Sequence, residues 1–429
     1  MEHEEGFPVD LKGKTITIVG AGVSGQAAAR LAMHHQARVK ISEQGDREGL
    51  PADFLKWMVQ HDIDLETQGH TQKFMDGSDL LIVSPGVAAD AEPILWAGQK
   101  GIPIVGEIEF AAWYCARPVI AVTGSNGKTT VVTFLRELLE HFGYRVALGG
   151  NIGIPFSHCV REDLKADYVV LEVSSFQLEF VRDFHPWIAV FLNFCQNHLD
   201  RHKNLEEYFE LKKRIFQRQN SRDYAVLNGM DTRLRDLAQK LKAKVCLFEE
   251  RRLIASEEIR NPNFLVGYEV GRILGIPDDI FLKTVKNFKG VEHRLEFVRQ
   301  FQGIQFVNDS KATTAEAGRW ALKRMDCPVV MICGGRDKNI DFSVLQDTVA
   351  AKVKKMIVFG EARAKLRLAF QGVVDVKEGR DLKDAVGRAR QEAVHGDCVL
   401  FSPLCTSFDS FRNYAERGEA FKRFVQQLK

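Results

Sequence analysis

Short apolar runs recur along the chain, each followed by a turn and then by a longer segment with helical period. Thr15–Gly20 precedes Ser24–His35, and Val119–Thr123 precedes Lys128–Phe142. Pro328–Cys333 precedes Phe342–Ala350, and Lys355–Gly360 precedes Glu361–Phe370. Strands that alternate with helices predict parallel sheets with helices on both faces, an α/β fold. No repeat of about 20–50 residues and no low-complexity stretch breaks the pattern. Two punctuation points, Gly101–Gly106 and Lys289–Val291, suggest domain borders; the second precedes the strand-like Leu295–Gln300. Three domains are therefore expected: a Rossmann-like domain at 1–107, a central phosphate-loop domain with a mainly parallel sheet at 108–290, and a second Rossmann-like domain at 291–429. A chain of 429 residues fits that number at about 150 residues per domain.

Composition narrows the function classes. The chain is 45% hydrophobic and 27% charged, ordinary for a globular protein. Lys and Arg number 59 against 57 Asp and Glu, a formal net charge of +2, so no global field points to nucleic acid or an anionic membrane. No apolar run approaches the 18–20 residues or so that span a bilayer. The first ten residues carry four acids and lack the positive start of an export signal. The eight cysteines form no CxxC pair. A cytoplasmic protein with reduced core thiols is expected, Cys405 among them, and no zinc site.

Gly20-Ala21-Gly22-Val23-Ser24-Gly25 is a G-x-G-x-x-G loop between the strand Ile16–Val19 and an Ala-rich helical segment. Glycines let a diphosphate approach the backbone, and the helix N-terminus favours its charge. Glu43 ends the next strand, where an acid reaches a ribose hydroxyl. Ser84-Pro85-Gly86 ends another apolar run on the same sheet edge. Three readings stay open on these residues: a UDP-sugar or similar diphosphate, NAD or FAD, and a tight turn without a ligand.

Thr123-Gly124-Ser125-Asn126-Gly127-Lys128-Thr129-Thr130 is the most informative local motif. It is the short G-x-x-G-K-T form of a phosphate loop. Backbone N–H groups would cradle phosphates, Lys128 would contact the β- and γ-phosphates, and Thr129 or Thr130 would reach Mg2+. Glu172 ends the apolar run Tyr168–Leu171; a carboxylate there needs a partner such as a metal ion, an ion pair or solvent. His198 follows the run Ile188–Leu192 and could ligate a metal or cap a surface turn. Lys212 lies in the basic helical stretch Tyr208–Gln219, which on pattern alone is a solvated face.

Farther on, Asn308–Thr314, Cys333–Lys338 and Ser402–Asp409 are polar turns after apolar runs. Each would suit an anion or serve as an ordinary helix cap; together they would form one rim.

Taken together, TGSNGKTT (123–130), GGNIG (149–153), LEVSSFQLE (171–179), NHLDRH (197–202), HRLE (293–296), NDSKATT (308–314), GGRDK (334–338) and SPLCTSFDSFRNYAERG (402–418) resemble the Mur ligases of peptidoglycan synthesis. The motifs stand in family order over nearly the whole chain. NDSKAT and the SPxCxSFDxFxN stretch look like the branch that adds D-glutamate to UDP-N-acetylmuramoyl-L-alanine.

The resemblance implies an ATP-dependent ligase working through an acyl phosphate, with ATP, two Mg2+ ions and a carbamylated Lys212. Gly124, Ser125, Asn126, Gly127, Lys128, Thr129, Thr130, Asn263, Arg294 and Asp309 would bind ATP. Thr129, Glu172, His198 and Lys212 would hold metal, with Lys128, His198 and Lys212 catalytic. Gly22, Val23, Ser24, Glu43, Ser84, Pro85, Gly86 and Asn151 would take the nucleotide sugar. Lys311, Thr313, Lys338, Ser407 and Tyr414 would take D-glutamate. A monomer with small-molecule substrates and neither nucleic-acid nor membrane partners is implied. Three departures from the family pattern stand out. Asn197 replaces an acid before the metal-site histidine, Arg260–Asn263 replaces an HNxxN segment, and 231–259 is short. A different Mur or folate-type ligase, and a nucleotide-binding protein without catalysis, are the alternatives.

Overall fold

The computed structural model describes residues 10–161, 165–195, 201–249, 251–255, 257–259, 261–338 and 340–428. They form two compact units, Met1–Phe288 and Lys289–Lys429. The alternation of apolar runs and helical segments gives the expected α/β architecture: three sheets of parallel strands, one of them with a single antiparallel edge strand, plus a small hairpin.

The first unit holds two of these sheets. One runs in the order Asp64–Glu66, Arg38–Ser42, Thr15–Val19, Leu80–Val83, Ile104–Gly106, all parallel. Thr15–Val19 feeds helix Val23–His34 and lies between Arg38–Ser42 and Leu80–Val83, so the chain order reverses beside it. Such a reversal opens a crevice at the strands' C-terminal ends, where open α/β sheets bind ligands. The second sheet runs Lys244–Phe248, Tyr224–Asn228, Ile188–Phe191, Val119–Thr123, Tyr168–Glu172, Val146–Gly150, again parallel. Its central strands are apolar up to their C-terminal ends, where Thr123 and Glu172 stand, because helices cover both faces. Helices Val23–His34, Glu107–Ala112 and Phe156–Arg161 pack together between the two sheets, giving one continuous core that includes Ile18, Ala28, Phe110, Phe156 and Leu171. The stretch 231–259 holds helix Thr232–Ala238, strand Lys244–Phe248 and the antiparallel hairpin of Arg252–Ile254 with Glu257–Ile259.

The second unit has one sheet: Glu296–Phe301, Ile304–Asn308, Cys398–Phe401, Val329–Gly334, Val353–Phe359, Asp375–Glu378. Only the first pair is antiparallel, with a bulge between Phe297 and Arg299. Three neighbouring strands, Ile304–Asn308, Cys398–Phe401 and Val329–Gly334, end on one side, so the turns after them share a rim.

Several boundaries move. The helix expected at Phe342–Ala350 is a 3-10 turn at Ser343–Leu345 followed by α-helix Gln346–Lys352. The basic helix expected at Tyr208–Gln219 runs over Leu205–Lys213, capped by the Asn204 side chain on Glu207 N–H, and then tightens to a 3-10 turn at Arg214–Phe216. Among the described residues all cysteines are free thiols. Cys405 is buried, and desolvation pushes its thiol up to about 12, which suits a structural residue.

Candidate functional site

The glycine loop owes its shape to steric necessity. A Cβ at Gly25 would lie 1.9 Å from the Gly20 carbonyl oxygen and 2.8 Å from Ser84 Oγ. Ser84 Oγ donates to that same carbonyl at 2.7 Å and ties the two strand ends together across the crevice. Glu43 reaches back over the loop: its carboxylate accepts from Ala21 N–H at 2.5 Å and from Gly45 N–H at 2.9 Å. It therefore braces the loop as well as lining the crevice. A cavity of about 910 Å³ opens here, lined by Gly22, Val23, Ser24, Glu43, Ser84, Pro85, Gly86 and Asn151 among others. The residues assigned from sequence to the nucleotide sugar thus line one cavity, which runs from the first sheet to the second.

The phosphate loop follows Val119–Thr123 and opens helix Lys128–His141. Gly127 caps that helix at φ 85°, and a Cβ there would lie 2.8 Å from Asn263 Oδ1. Asn263, buried at the start of helix Pro262–Ile273, therefore lies against the loop. Asn193 and Cys195, which the motif reading gave no role, fix the loop from the next strand's end. Asn126 N–H donates to Asn193 Oδ1 at 2.9 Å, and Ser125 Oγ donates to the Cys195 carbonyl at 3.0 Å. The signal for Asn193 was its position, a polar residue directly after the apolar run Ile188–Leu192. Lys128 Nζ donates to the carbonyls of Gly124 at 2.7 Å and Ser125 at 3.1 Å, so its ammonium is folded over the loop that would hold phosphates.

Glu172 pairs in register with Val122 on the neighbouring strand, which puts its carboxylate beside the loop. It is 3% exposed. Thr129 Oγ1 donates to its Oε2 at 2.7 Å, and Asn151 Nδ2 donates to its Oε1 at 2.8 Å. A hydroxyl, an amide and a buried carboxylate converge here with no cationic side chain among these contacts. Oxygen donors of this kind, one of them anionic, suit a hard divalent cation such as Mg2+. Of the two threonines offered by the sequence, Thr129 reaches the acid; Thr130 is half-buried on the same turn.

Lys212 corrects the pattern reading. It is 1% exposed rather than on a solvated face, because its helix turns inward beneath the phosphate loop. Nζ donates to the Gly124 carbonyl at 3.0 Å, approaches Thr123 Oγ1 at 3.4 Å and lies 4.8 Å from the Tyr208 ring centroid. Burial and the neighbouring Lys128 hold its ammonium well below the ordinary lysine range. Burial thus favours the neutral amine over the ammonium at this position. His202 escaped the sequence reading as a site residue: it is buried, its Nε2 is 3.0 Å from Ser175 Oγ, and its ring stacks with Phe176 and Tyr208. His198 and Asn197 lie outside the described residues.

In the second unit the three polar turns meet. Leu404 N–H donates to the Ala312 carbonyl at 2.9 Å, Gly334 N–H to Pro403 at 2.9 Å, and Arg336 N–H to Thr406 at 2.9 Å. Ser407 is buried, Thr313 half-buried and Lys338 exposed at this rim. Lys311 Nζ stands 4.9 Å over the Tyr414 ring. Asp309 is buried, and its carboxylate accepts from Leu295 N–H at 3.2 Å and Ser402 Oγ at 3.1 Å. Burial raises its pKa to about 7 against the opposing pull of Arg294. A trio of Glu292, His293 and Glu419 also comes together here, but both carboxylates already pair with the Lys422 ammonium, at 2.6 Å from Glu419 and 3.3 Å from Glu292.

Comparison with known proteins gives three family matches: the Mur ligase MurD-like N-terminal domain over residues 14–106, the Mur ligase middle domain over 122–265, and the Mur ligase glutamate ligase domain over 293–405. A UDP-N-acetylmuramoylalanine–D-glutamate ligase of Thermoanaerobacter pseudethanolicus is 36% identical over 98% of this chain and all of its own length. One from Desulfosudis oleivorans is 34% identical over 98% of both chains. Among solved structures, the MurF ligase of Thermotoga maritima in complex with ADP aligns with TM-score 0.63 at 17% identity, covering 91% of this chain and 95% of that one. At that identity the likeness speaks for the fold alone.

Proposed function

Because the chain belongs to the Mur ligase family, we propose that it is an ATP-dependent ligase that adds D-glutamate to UDP-N-acetylmuramoyl-L-alanine. The observation that carries this reading is the hydrogen-bonded chain from Thr129 of the phosphate loop through Glu172 to Asn151, which lines a cavity whose other end is the glycine loop. A nucleotide sugar lying along that cavity, its diphosphate at Gly22–Ser24, would bring its far end to Asn151, beside the place where the γ-phosphate of ATP would sit. The glycine loop thus serves a uridine diphosphate rather than a nicotinamide cofactor. The division of labour follows: 1–107 for the nucleotide sugar, 108–290 for ATP and chemistry, 291–429 for the amino acid.

The reaction joins a carboxylate to an amine, two groups that do not condense in water. The L-alanyl carboxylate attacks the γ-phosphorus and ADP leaves, giving an acyl phosphate. The D-glutamate amine then attacks the acyl carbon and phosphate departs. Phosphoryl transfer depends chiefly on positioning and on neutralising charge. Lys128 supplies a mobile ammonium that exchanges its two carbonyl partners for phosphate oxygens. Gly124–Gly127 offer backbone N–H groups, and Asn263 packs against them. Thr129, Glu172, Lys212 and His198 would hold Mg2+, which supplies charge neutralisation at the phosphates when bound. Lys212, favoured as a neutral amine, is set to take up CO2; the carbamate would convert a buried cation into an anionic ligand. Arg294 and Asp309 would also contact ATP. Lys311, Thr313, Lys338, Ser407 and Tyr414 would receive D-glutamate.

The test is phosphate release from ATP and Mg2+ with the nucleotide sugar, comparing D-glutamate, L-glutamate, L-alanine and no amino acid. Release that needs D-glutamate and the nucleotide sugar together supports the proposal. Release with another amino acid would move the substrate assignment within the family, and ATP binding without release would remove catalysis.

A further inference from the structure

Among the described residues, Arg417 is the largest fully buried side chain. It lies in the first turn of helix Tyr414–Gln426. Its guanidinium donates only to carbonyls and one hydroxyl: Nε to Ser310 Oγ at 3.1 Å, Nη2 to the Ser310 carbonyl at 2.7 Å, and Nη1 to the carbonyls of Cys405 at 3.0 Å and Gly334 at 3.5 Å. Among the described residues no carboxylate lies within ion-pair distance of it. Desolvation lowers its pKa to about 10, so it is still a cation at neutral pH. A buried cation that touches no carboxylate, its nearest acidic influence being Asp409, is costly, and an apolar side chain of similar volume would fill the space more cheaply. What such a side chain lacks is a planar fork of N–H donors with fixed directions.

Those directions select the three turns of the rim. Ser310 adjoins Lys311, Cys405 lies two residues before Ser407, and Gly334 begins the turn that carries Lys338. The turn at Gly335 closes onto the fork: a Cβ there would lie 2.9 Å from Nη1. Ser310 Oγ in turn donates to the Tyr414 carbonyl at 2.8 Å, which ties the assembly to the helix start.

We propose that Arg417 is a positioning residue for the incoming amino acid, its fork holding three turns in one register so that Lys311, Lys338 and Ser407 meet the substrate's carboxylates together. The inference rests on the reading of those residues as the amino-acid pocket. The buried charge also biases the rim towards a dianion, without touching it.

The experiment varies D-glutamate at saturating ATP and nucleotide sugar, with the full chain carrying Arg417→Met, Arg417→Lys or Lys338→Ala. Loss of hydrogen bonds from a charged group predicts a rise of about tenfold or more in the KM for D-glutamate in Arg417→Met. Arg417→Lys keeps the charge but not the fork and should also raise that KM, by less. The KM values for ATP and the nucleotide sugar should stay within about twofold of wild type. A lower melting temperature with all three KM values unchanged would leave Arg417 a structural residue and overturn the proposal. If Lys338→Ala raises the KM and the Arg417 variants do not, the positioning role fails while the pocket stands. If Lys338→Ala changes nothing, the pocket reading itself fails. Should Arg417→Met not fold, Arg417→Lys and Ser310→Ala carry the same test, since each breaks part of the clamp.

Discussion

Thr129 Oγ1, in the first turn of helix Lys128–His141, donates a hydrogen bond of 2.7 Å to Oε2 of Glu172, 43 positions on at the end of a strand. The first helical turn of the phosphate loop and the end of the adjacent strand thereby form one polar cluster in an apolar interior. Glu172→Gln keeps the shape and removes the charge. Phosphate release should fall on the order of a hundredfold or more, with ATP binding reduced and the melting temperature near wild type. Thr129→Ser should retain most activity, and Thr129→Ala should lose it. Equal rates in Glu172→Gln and wild type would remove Glu172 from the site.

Lys212 gives a stability prediction with a definite sign. Its folded pKa is lowered below 10.5, the ordinary value for lysine. Between the two values the unfolded chain binds the proton more tightly, so stability rises with pH across that window. In metal-free, CO2-free buffer, Lys212→Met should be more stable than wild type at about pH 7, with the gain shrinking as pH approaches 10.5. Urea titrations at about pH 7 and pH 10 read it. The same variant should lose turnover.

Asp309 behaves in the opposite sense. Its folded pKa of about 7 lies above 3.8, the ordinary value for aspartate, so its contribution to stability is full below 3.8 and is lost as pH rises towards 7. Asp309→Asn removes that titration. Its stability relative to wild type should rise between about pH 4 and pH 8, by up to about 4 kcal/mol. A difference independent of pH would contradict the assignment.

Gly25→Ala places a methyl group against the Gly20 carbonyl. The loop must open or the helix must shift, at a cost of about 1–3 kcal/mol. A lower melting temperature should accompany a raised KM for the nucleotide sugar, with the KM for ATP little changed. If only the KM for ATP moves, the first glycine loop does not serve the nucleotide sugar.

Alternation of apolar runs and helical segments determined the α/β class, because a strand buried on both faces must be apolar and its crossover must be amphipathic. The loops Gly20–Gly25 and Gly124–Thr130 were legible for a local reason: their glycines, lysine and threonines act within one strand–turn–helix unit. Lys212, His202 and Arg417 were not legible from pattern. A lysine in a basic helical stretch reads as solvated until the fold turns that helix under the phosphate loop, and an arginine in Tyr-Ala-Glu-Arg-Gly reads as one more surface charge. Which charges are buried, and which distant strand ends they join, is a property of packing. Sequence periodicity records which face of an element is apolar; only the tertiary structure decides what that face meets.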